Sequence, residues 1–279
     1  MSGSSGQAMH RVLCLHGYTQ NAKKFRDRTG PFRRNMKRRM ELVYMTAPLE
    51  ATEEFERSGG SDNKDGGPST AGEEGPSAAW WNPRATPSET WVDIRRSAEA
   101  VMRTMRELGP FDGIVGFSQG AGMAAVVLAL MRRAAEDNNE AADVDGGDGA
   151  LVRGARALPP LRFAFLFAGF YPDVPQFDAL LTAPAVAAAA AAGGSADREQ
   201  SNCSSARRLR IAVPSLHVVG IRDAVVAPER GRELAARAFA DTAVVAEHDG
   251  GHFVPCNAAW RNRYQAFLDS VDGAQQDPI

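Results

Sequence analysis

Short apolar segments alternate with longer stretches of helical spacing along much of the chain. Segments of about five residues rich in Val, Leu, Ile and Phe indicate buried strands, and longer stretches with apolar residues three and four positions apart indicate helices. Strands that alternate with helices form a parallel sheet, and the helices must cover both of its faces. The sequence therefore predicts an α/β fold built around a mainly parallel sheet.

The alternation predicts six strands, five helices and one domain. The strands are Arg11 to Leu15, Glu41 to Met45, Gly113 to Phe117, Arg162 to Phe167, Ser215 to Val219 and Ala243 to Glu247. The helices are Asn21 to Arg39, Ser88 to Leu108, Gln119 to Ala135, Pro228 to Ala240 and Asn257 to Val271. We expect a single domain over residues 10–272, after a flexible leader at 1–9 and before a tail at 273–279.

Three low-complexity segments interrupt the alternation, at residues 50–79, 138–160 and 183–206. Their Gly, Ser, Ala and acidic content predicts disordered or loosely packed insertions. In a parallel sheet the loops that follow strands emerge at the carboxyl edge, where ligands bind. The first and third insertions follow predicted strands and are expected over the site, whereas the second follows a helix and is expected at the opposite edge.

The segment GFSQG, residues 116–120, places Ser118 between two glycines. It follows an apolar strand and precedes a helix-forming run, which is the context of a nucleophile elbow. That strained turn needs small residues two positions before and after the serine, and glycine occupies both positions. The backbone N–H of Gln119, at the helix N-terminus, would face a developing oxyanion. A tight Gly/Ser turn in an ordinary strand–helix unit is the alternative.

A serine hydroxyl needs a histidine to take its proton. His252 lies on a Gly-rich loop after the last strand, at the expected carboxyl edge. Asp223 follows the fifth strand, reaches the same edge, and would fix the tautomer of the imidazole. Asp249 competes for that role, but it lies three positions before His252 on the same loop and is poorly placed to face the ring. The order Ser118, Asp223, His252 is that of α/β-hydrolases.

The other four histidines have structural interpretations. His10 belongs to the leader, and His16, at the exit of the first strand, is expected to brace the loop that follows. His217 lies inside an apolar strand, where a hydrogen-bonded core imidazole is expected, and His248 ends the last strand.

Three other patterns suggest ligand binding on first inspection. The segment GAGMAA, residues 120–125, matches a dinucleotide fingerprint, but its glycines lie inside the helix rather than directly after the strand. The segment HDGGH, residues 248–252, has the spacing of a zinc motif, but two glycines disfavour the helix which that site requires. A basic cluster is interpreted as a solvated helix face rather than a phosphate site. Its members are Arg33, Arg34, Lys37, Arg38 and Arg39. No metal and no organic cofactor are predicted.

The segment LCLHGYTQN, residues 13–21, is a strand that ends in His-Gly. In hydrolases with a nucleophile elbow, the second oxyanion N–H comes from the loop after this strand. The backbone N–H of Tyr18 is therefore the expected second donor to the oxyanion, and that of Thr19 is the second candidate.

Five segments together resemble the FSH-type serine hydrolase family of the α/β-hydrolase superfamily. They are LCLHGYTQNA, the pair Trp80-Trp81, GPFDGIVGFSQGAGMAA, PSLHVVGIRDAVVAPERGRELA and HDGGHFVP. The resemblance spans residues 11–268 and implies an α/β-hydrolase with carboxylesterase or acyl-thioesterase activity, often on fairly long acyl chains. It assigns nucleophile, acid and base to Ser118, Asp223 and His252. The three insertions depart from the family pattern, which leaves the substrate preference open.

Aromatic residues near the expected site are candidates for an acyl pocket, because such side chains often line ligand clefts. The candidates are Trp80, Trp81, Phe170 and Tyr171, with Trp91 and Pro172 close to them in sequence. Packing in the core is the alternative role for the tryptophans.

Composition narrows the classes of partner. The 32 basic and 34 acidic side chains give a formal charge of −2, which provides no overall attraction to nucleic acid or to an anionic membrane. No segment reaches the roughly 18 apolar residues of a membrane span, and none resembles a secretory signal. Cys14, Cys203 and Cys256 match no disulfide or zinc spacing, which favours a reducing, cytoplasmic location. The expected partner is a small-molecule acyl ester or thioester, and the oligomeric state is left open.

Two alternatives to this function remain at the level of sequence. The same three side chains could serve a serine peptidase or a phospholipase. A non-catalytic binding protein could also keep the fold, because fold alone does not establish activity.

Overall fold

The structure is a computed structural model that describes residues 9–51, 75–136, 148–183 and 207–274. The strands are β1 (His10–Leu15), β2 (Met40–Met45), β3 (Leu49–Glu50), β4 (Ala78–Ala79), β5 (Gly113–Phe117), β6 (Phe163–Phe167), β7 (Ser215–Gly220) and β8 (Ala243–His248). The helices are α1 (Ala22–Arg28), α2 (Gly30–Met36), α3 (Pro87–Leu108), α4 (Gln119–Glu136), α5 (Gly149–Arg156), α6 (Pro175–Leu180), α7 (Pro228–Ala238) and α8 (Ala258–Gly273).

One parallel sheet of six strands, in the order β2-β1-β5-β6-β7-β8, forms the centre of the fold. The predicted six-stranded sheet is thereby confirmed. A two-stranded antiparallel ribbon of β3 and β4 lies outside this sheet and was not predicted. Because all six strands run in the same direction, the loops after β1, β5, β7 and β8 emerge at one carboxyl edge.

Alternate residues of the strands face two separate hydrophobic clusters. In β1, Val12 and Cys14 join the cluster under α1, α2 and α8, whereas Leu13 and Leu15 join the cluster under α3 to α7. The sheet is therefore covered by helices on both faces, as the alternation of strands and helices predicts.

The helix predicted from Asn21 to Arg39 is wrong as a single element. α1 ends at Arg28 and α2 begins at Gly30. Pro31 explains the break, because proline has no N–H for an i−4 carbonyl and its ring clashes with that carbonyl. Thr29 closes α1 instead, since its hydroxyl and its N–H both donate to the Phe25 carbonyl, at 2.6 and 2.9 Å.

Part of the second predicted insertion is ordered and packed. Residues 149–156 form α5, in which Leu151 and Ala155 are 2% exposed. These apolar positions have helical spacing, so the Gly-rich composition of the segment misled the prediction. α6, which was also not predicted, follows β6. The remaining parts of the three predicted insertions, at 52–74, 138–147 and 184–206, lie outside the described residues.

The flanks of the third insertion lie at the amino edge of the sheet, not at the carboxyl edge. Arg133, near the end of α4, donates to the carbonyl of Thr182, and Arg207 pairs with Glu136 at 2.6 Å. The expectation that this insertion leaves directly from a strand was therefore wrong, because α6 intervenes and carries the chain along α4.

Arg39 corrects the predicted solvated face of the basic cluster. Its side chain is buried, and its guanidinium binds Asp269 at 2.6 Å and Asp272 at 3.0 Å on α8. Arg39 thus ties the start of β2 to the end of α8. Within the described ranges, no helix combines the length and the apolar character needed to cross a membrane.

Candidate active site

Ser118 occupies a strained turn between β5 and α4. Its φ of 53° is in the left-handed region, and its N–H donates to the Phe167 carbonyl at 2.9 Å. A Cβ on Gly116 would lie 2.5 Å from the carbonyl oxygen of Gly120, and one on Gly120 would lie 2.3 Å from that of Leu15. Both glycines are therefore required by backbone atoms that pack closely around the serine.

The loop after β1 packs directly beside this turn. A Cβ on Gly17 would lie 3.4 Å from Cβ of Ser118. The loop is closed on itself, because the Gly17 N–H donates to Oε1 of Gln20 at 3.3 Å and the Gln20 N–H donates to the Gly17 carbonyl at 3.1 Å. The Gly17 N–H is used by its bond to Gln20, so Tyr18 remains the expected oxyanion donor. Thr19, whose φ is 62°, remains the second candidate.

His16 braces the same loop through both ring nitrogens. Nδ1 donates to the Gly17 carbonyl at 2.7 Å, and Nε2 accepts from the Ala47 N–H at 2.9 Å. Burial lowers the pKa of His16 to about 4, against the opposing effect of the Gly17 hydrogen bond. A neutral imidazole with both nitrogens bonded is suited to bracing rather than to proton transfer.

The side chain of Gln119 holds the Trp80-Trp81 segment against the elbow. Its Oε1 accepts from the Trp80 N–H at 2.9 Å, and its Nε2 donates to the Trp81 carbonyl at 2.8 Å. The backbone N–H of Gln119 begins α4, where the first helical N–H groups have no intrahelical acceptor. Sequence reasoning identified this backbone group but missed the role of the side chain.

Asp223 and His252 are joined by a hydrogen bond of 2.7 Å between Oδ2 and Nδ1. The other carboxylate oxygen of Asp223 accepts from the N–H groups of Val225 and Val226, at 2.8 and 2.9 Å. The Asp223 side chain is 1% exposed and the His252 side chain 18%. Burial opposes ionisation of Asp223, but the bonds from His252 and the two N–H groups together hold its pKa below the usual value.

Backbone bonds fasten the loop of Asp223 to the loop of His252. The Ile221 N–H donates to the His248 carbonyl at 2.9 Å, and the Arg222 N–H donates to the Gly250 carbonyl at 3.1 Å. A Cβ on Gly220 would lie 2.4 Å from the carbonyl oxygen of Gly251, so this contact requires glycine. The pairing of β7 with β8 therefore continues past the ends of both strands.

The imidazole of His252 lies beside the elbow. Its ring centroid is 4.8 Å from that of Phe117, the residue before Ser118. Ser118 and His252 share no hydrogen bond in the described part of the chain, and such bonds are often long without substrate. The structure thus brings Asp223 and His252 together at the edge that carries Ser118.

The remaining histidines occupy structural positions, and His10, which was expected in the leader, instead begins β1 and is 1% exposed. His217 is buried, lies 3.1 Å from the Ser215 hydroxyl through Nε2, and has its pKa lowered to about 3 by burial. His248 accepts from the Gly250 N–H at 3.2 Å through Nδ1 and packs on Trp260. Residues 249–253 form bends rather than a helix, so His248 and His252 do not share a helical face.

Trp81 and Phe170 lie together over the first turns of α4. Their rings meet edge to face at 5.9 Å, and a Cβ on Gly122 would lie 3.0 Å from the Trp81 indole. Gly122 therefore makes room for this aromatic pair rather than for a dinucleotide. Arg230 covers the Phe170 ring at 4.5 Å and pairs with Asp173 at 3.5 Å.

Trp80 and Tyr171, also predicted to contact substrate, are enclosed. Trp80 is 0% exposed and donates through its indole N–H to the His16 carbonyl at 2.8 Å. The Tyr171 hydroxyl donates to Asp178 at 2.7 Å, and Arg237 lies 3.8 Å from the centre of its ring. These contacts favour structural roles for both residues.

Comparison with known families adds independent findings. The sequence model described as serine hydrolase (FSH1) matches residues 4–264. Esterase OVCA2 of Danio rerio is 32% identical to this chain over 92% of its length and 96% of the relative. Esterase OVCA2 of Homo sapiens is 29% identical over 93% of this chain and 95% of the relative.

Solved structures show the same fold at low sequence identity. Acyl-protein thioesterase 2 of Zea mays superposes with a TM-score of 0.56 and 17% identity, over 96% of this chain and 95% of that one. Esterase PE8 superposes with a TM-score of 0.52 and 17% identity, over 97% and 96% of the two chains. The predicted α/β-hydrolase fold is confirmed.

Proposed function

The chain belongs to the FSH1 serine hydrolase family, and from that premise we propose that it hydrolyses carboxylic ester or thioester bonds through an acyl-enzyme on Ser118. The proposal includes His252 as the general base and Asp223 as the acid that orients it. It requires no metal and no organic cofactor.

The observation that carries this proposal is the bonding of Asp223. One carboxylate oxygen is held by two backbone N–H groups, so the other is fixed toward Nδ1 of His252 at 2.7 Å. This arrangement selects the tautomer in which Nδ1 carries the proton and Nε2 is free to accept one. The lowered pKa of Asp223 keeps the carboxylate ionised when the imidazole becomes charged.

The proposed reaction has two steps. Oγ of Ser118 attacks the acyl carbonyl carbon while His252 takes its proton, and the tetrahedral intermediate then collapses to the acyl-enzyme as His252 protonates the leaving alcohol or thiol. Water, deprotonated by His252, attacks the acyl-enzyme in the second step and releases the carboxylic acid and free Ser118.

We assign stabilisation of the oxyanion to the backbone N–H groups of Gln119 and Tyr18. Gln119 begins α4, whose N-terminal dipole favours negative charge at this point. Tyr18 lies on the loop that packs against Ser118 through Gly17. Both groups belong to rigid backbone, since the Gln119 side chain and His16 hold the adjoining segments.

Trp81 and Phe170 are the proposed wall for the acyl group. They pack over Gly122, one helical turn beyond Ser118, and an apolar wall at this distance suits an acyl chain. The chain length that fits is to be measured with p-nitrophenyl esters of graded length beside acyl-CoA thioesters.

Covalent labelling tests the proposed nucleophile. A fluorophosphonate probe should modify Ser118, and Ser118→Ala should abolish both labelling and turnover of p-nitrophenyl esters. A protein that binds acyl esters without turning them over, or a Ser118→Ala variant with full activity, would contradict the proposal.

A further inference from the structure

One face of the molecule concentrates positive charge that the proposed reaction does not use. Residues 22–39 contain nine basic and one acidic side chain, in a chain with a formal charge of −2. We define the basic face as the exposed basic residues of α1, α2, the turn after α2, and α8. They are Lys23, Arg26, Arg28, Arg34, Lys37, Arg38, Arg261 and Arg263.

Most of this charge is not neutralised locally. Lys23 pairs with Asp27 at 3.5 Å, and no ion pair joins the other seven residues to an acidic group in the described part of the chain. α7 on the opposite face of the sheet differs, because Arg232 pairs with Glu229 at 2.9 Å and Arg237 with Glu233 at 2.6 Å. Uncompensated like charges on one face create a local potential that favours an anionic partner.

Only one end of the basic face, at Arg34 and at Arg261 and Arg263 in the first turns of α8, adjoins the carboxyl edge of the sheet, because Lys37 and Arg38 lie next to Arg39 at the start of β2. Asn35 of α2 donates through its side-chain amide to the Cys256 carbonyl at 2.9 Å. Arg34 is close enough to Cys256 to act electrostatically on the pKa of its thiol. Cys256 lies on the loop that carries His252, so α2 borders one of the loops of the candidate active site.

Exposed apolar side chains occupy the same edge. Phe253 is 49% exposed beside His252, and Ile221 and Val225, at 44% and 62%, flank Asp223. Phe253 packs on Gly250, whose carbonyl accepts from the backbone next to Ile221. Phe253 also packs on His248 and His248 on Trp260, and Arg263 lies 5.1 Å from the centre of a Trp260 ring, so apolar residues and cations meet at the start of α8.

We propose that Arg34, Arg261 and Arg263 of the basic face, together with these three apolar residues, bind the surface of an anionic lipid bilayer, with the carboxyl edge turned toward the lipid. Cations attract anionic headgroups while apolar side chains enter the interface, and neither contribution alone gives firm attachment. A nucleic acid would use the cations but leave the apolar residues without a partner, so it is the less favoured anion. The near-neutral charge of the whole chain conceals this local asymmetry.

The bound surface would supply the hydrolase with acyl esters of membrane lipids, and in that respect the inference rests on the proposed function. Binding itself does not require catalysis. It is therefore measured with the Ser118→Ala protein, by co-sedimentation with phosphatidylcholine vesicles that contain either no anionic lipid or about 30% phosphatidylserine. Binding should require phosphatidylserine and should weaken as the ionic strength rises from about 0.1 to 0.5 M.

Matched charge reversals identify the surface. Arg34→Glu/Arg261→Glu/Arg263→Glu should weaken the partition onto the anionic vesicles by about 100-fold or more, since each cation near such a surface contributes about fivefold. Arg96→Glu/Arg103→Glu/Arg106→Glu on α3 makes the same change in net charge on the other face and should weaken it far less. Phe253→Ser should weaken it by about tenfold.

The outcomes separate this inference from the proposed function. Equal loss in both triple variants, equal binding to vesicles without phosphatidylserine, or selective retention on double-stranded DNA would overturn the docking surface. Hydrolysis of a monomeric, water-soluble p-nitrophenyl ester by the triple variants with Ser118 intact reports on the active site alone. If the protein hydrolyses the soluble ester but does not bind anionic vesicles, only the docking surface is refuted. If it binds the vesicles but does not hydrolyse the ester, only the proposed reaction is refuted.

Discussion

Replacement of Gln119 by leucine should destabilise the protein through the segment that its side chain holds. The side chain is buried and satisfies two backbone groups, the Trp80 N–H and the Trp81 carbonyl, at 2.9 and 2.8 Å. Leucine has nearly the same volume and can bond neither group. The variant therefore tests the two hydrogen bonds with little change in packing.

The expected cost follows from the number of groups left unpaired. Each buried polar group without a partner costs about 1–3 kcal/mol, so Gln119→Leu should lower the free energy of unfolding by about 2–6 kcal/mol. That is a large part of the roughly 5–15 kcal/mol that keeps a domain folded. Urea denaturation should show a lower midpoint with an unchanged slope.

Gln119→Glu provides the matched control. When its carboxyl is protonated, glutamic acid keeps an acceptor for the Trp80 N–H and has an O–H that can donate to the Trp81 carbonyl, so at such a pH its loss of stability should be smaller than that of Gln119→Leu. A loss of less than about 1 kcal/mol in Gln119→Leu would refute the reasoning, because the two backbone groups would then have found other partners.

Three further predictions test the site and its frame. Asp223→Asn should lower kcat about 10⁴-fold, because the amide would select the wrong imidazole tautomer, whereas Asp249→Asn should leave ester turnover unchanged. Gly116→Ala should lower the free energy of unfolding, measured by urea denaturation, by about 1–3 kcal/mol or more, since its Cβ would lie 2.5 Å from the carbonyl oxygen of Gly120. Gly273→Ala is the control, because nothing lies within 4 Å of its Cβ, and it should change the free energy of unfolding by less than about 1 kcal/mol. Burial lowers the pKa of His16 to about 4 and of His217 to about 3, so the unfolded chain binds more protons below about pH 6.5 and stability is lost as the pH falls. The free energy of unfolding should drop by roughly 4 kcal/mol between pH 7 and pH 5 from these two groups, and His217→Leu should remove about half of that drop.

The sheet and the elbow were predictable because local sequence specifies them. Six apolar runs fixed the strands, and the glycines around Ser118 reflect contacts within a few residues of the turn. α5 was missed because composition was given more weight than the helical spacing of Leu151 and Ala155. The break between α1 and α2 at Thr29 was also missed, although Pro31 is a local signal for it. Both errors were therefore avoidable from the sequence.

Other features depend on contacts between residues far apart in sequence. The side chain of Gln119 reaches backbone groups about forty positions earlier, and nothing local in the sequence identifies Trp80 as its partner. Arg39 belongs to a basic run, yet it is buried against Asp269 and Asp272 at the other end of the chain. The fold must be known before such pairs can be recognised.

The hydrogen bonds that extend the β7–β8 pairing past the strand ends make the carboxylate and the imidazole parts of one rigid body. Ser118 follows β5, which is separated from β7 by β6. Drift of either loop would therefore displace both Asp223 and His252 without altering their mutual alignment. Substitutions in β6, at Phe165 and Phe167, would instead change the distance between Ser118 and the Asp223–His252 pair, because β6 pairs with both β5 and β7.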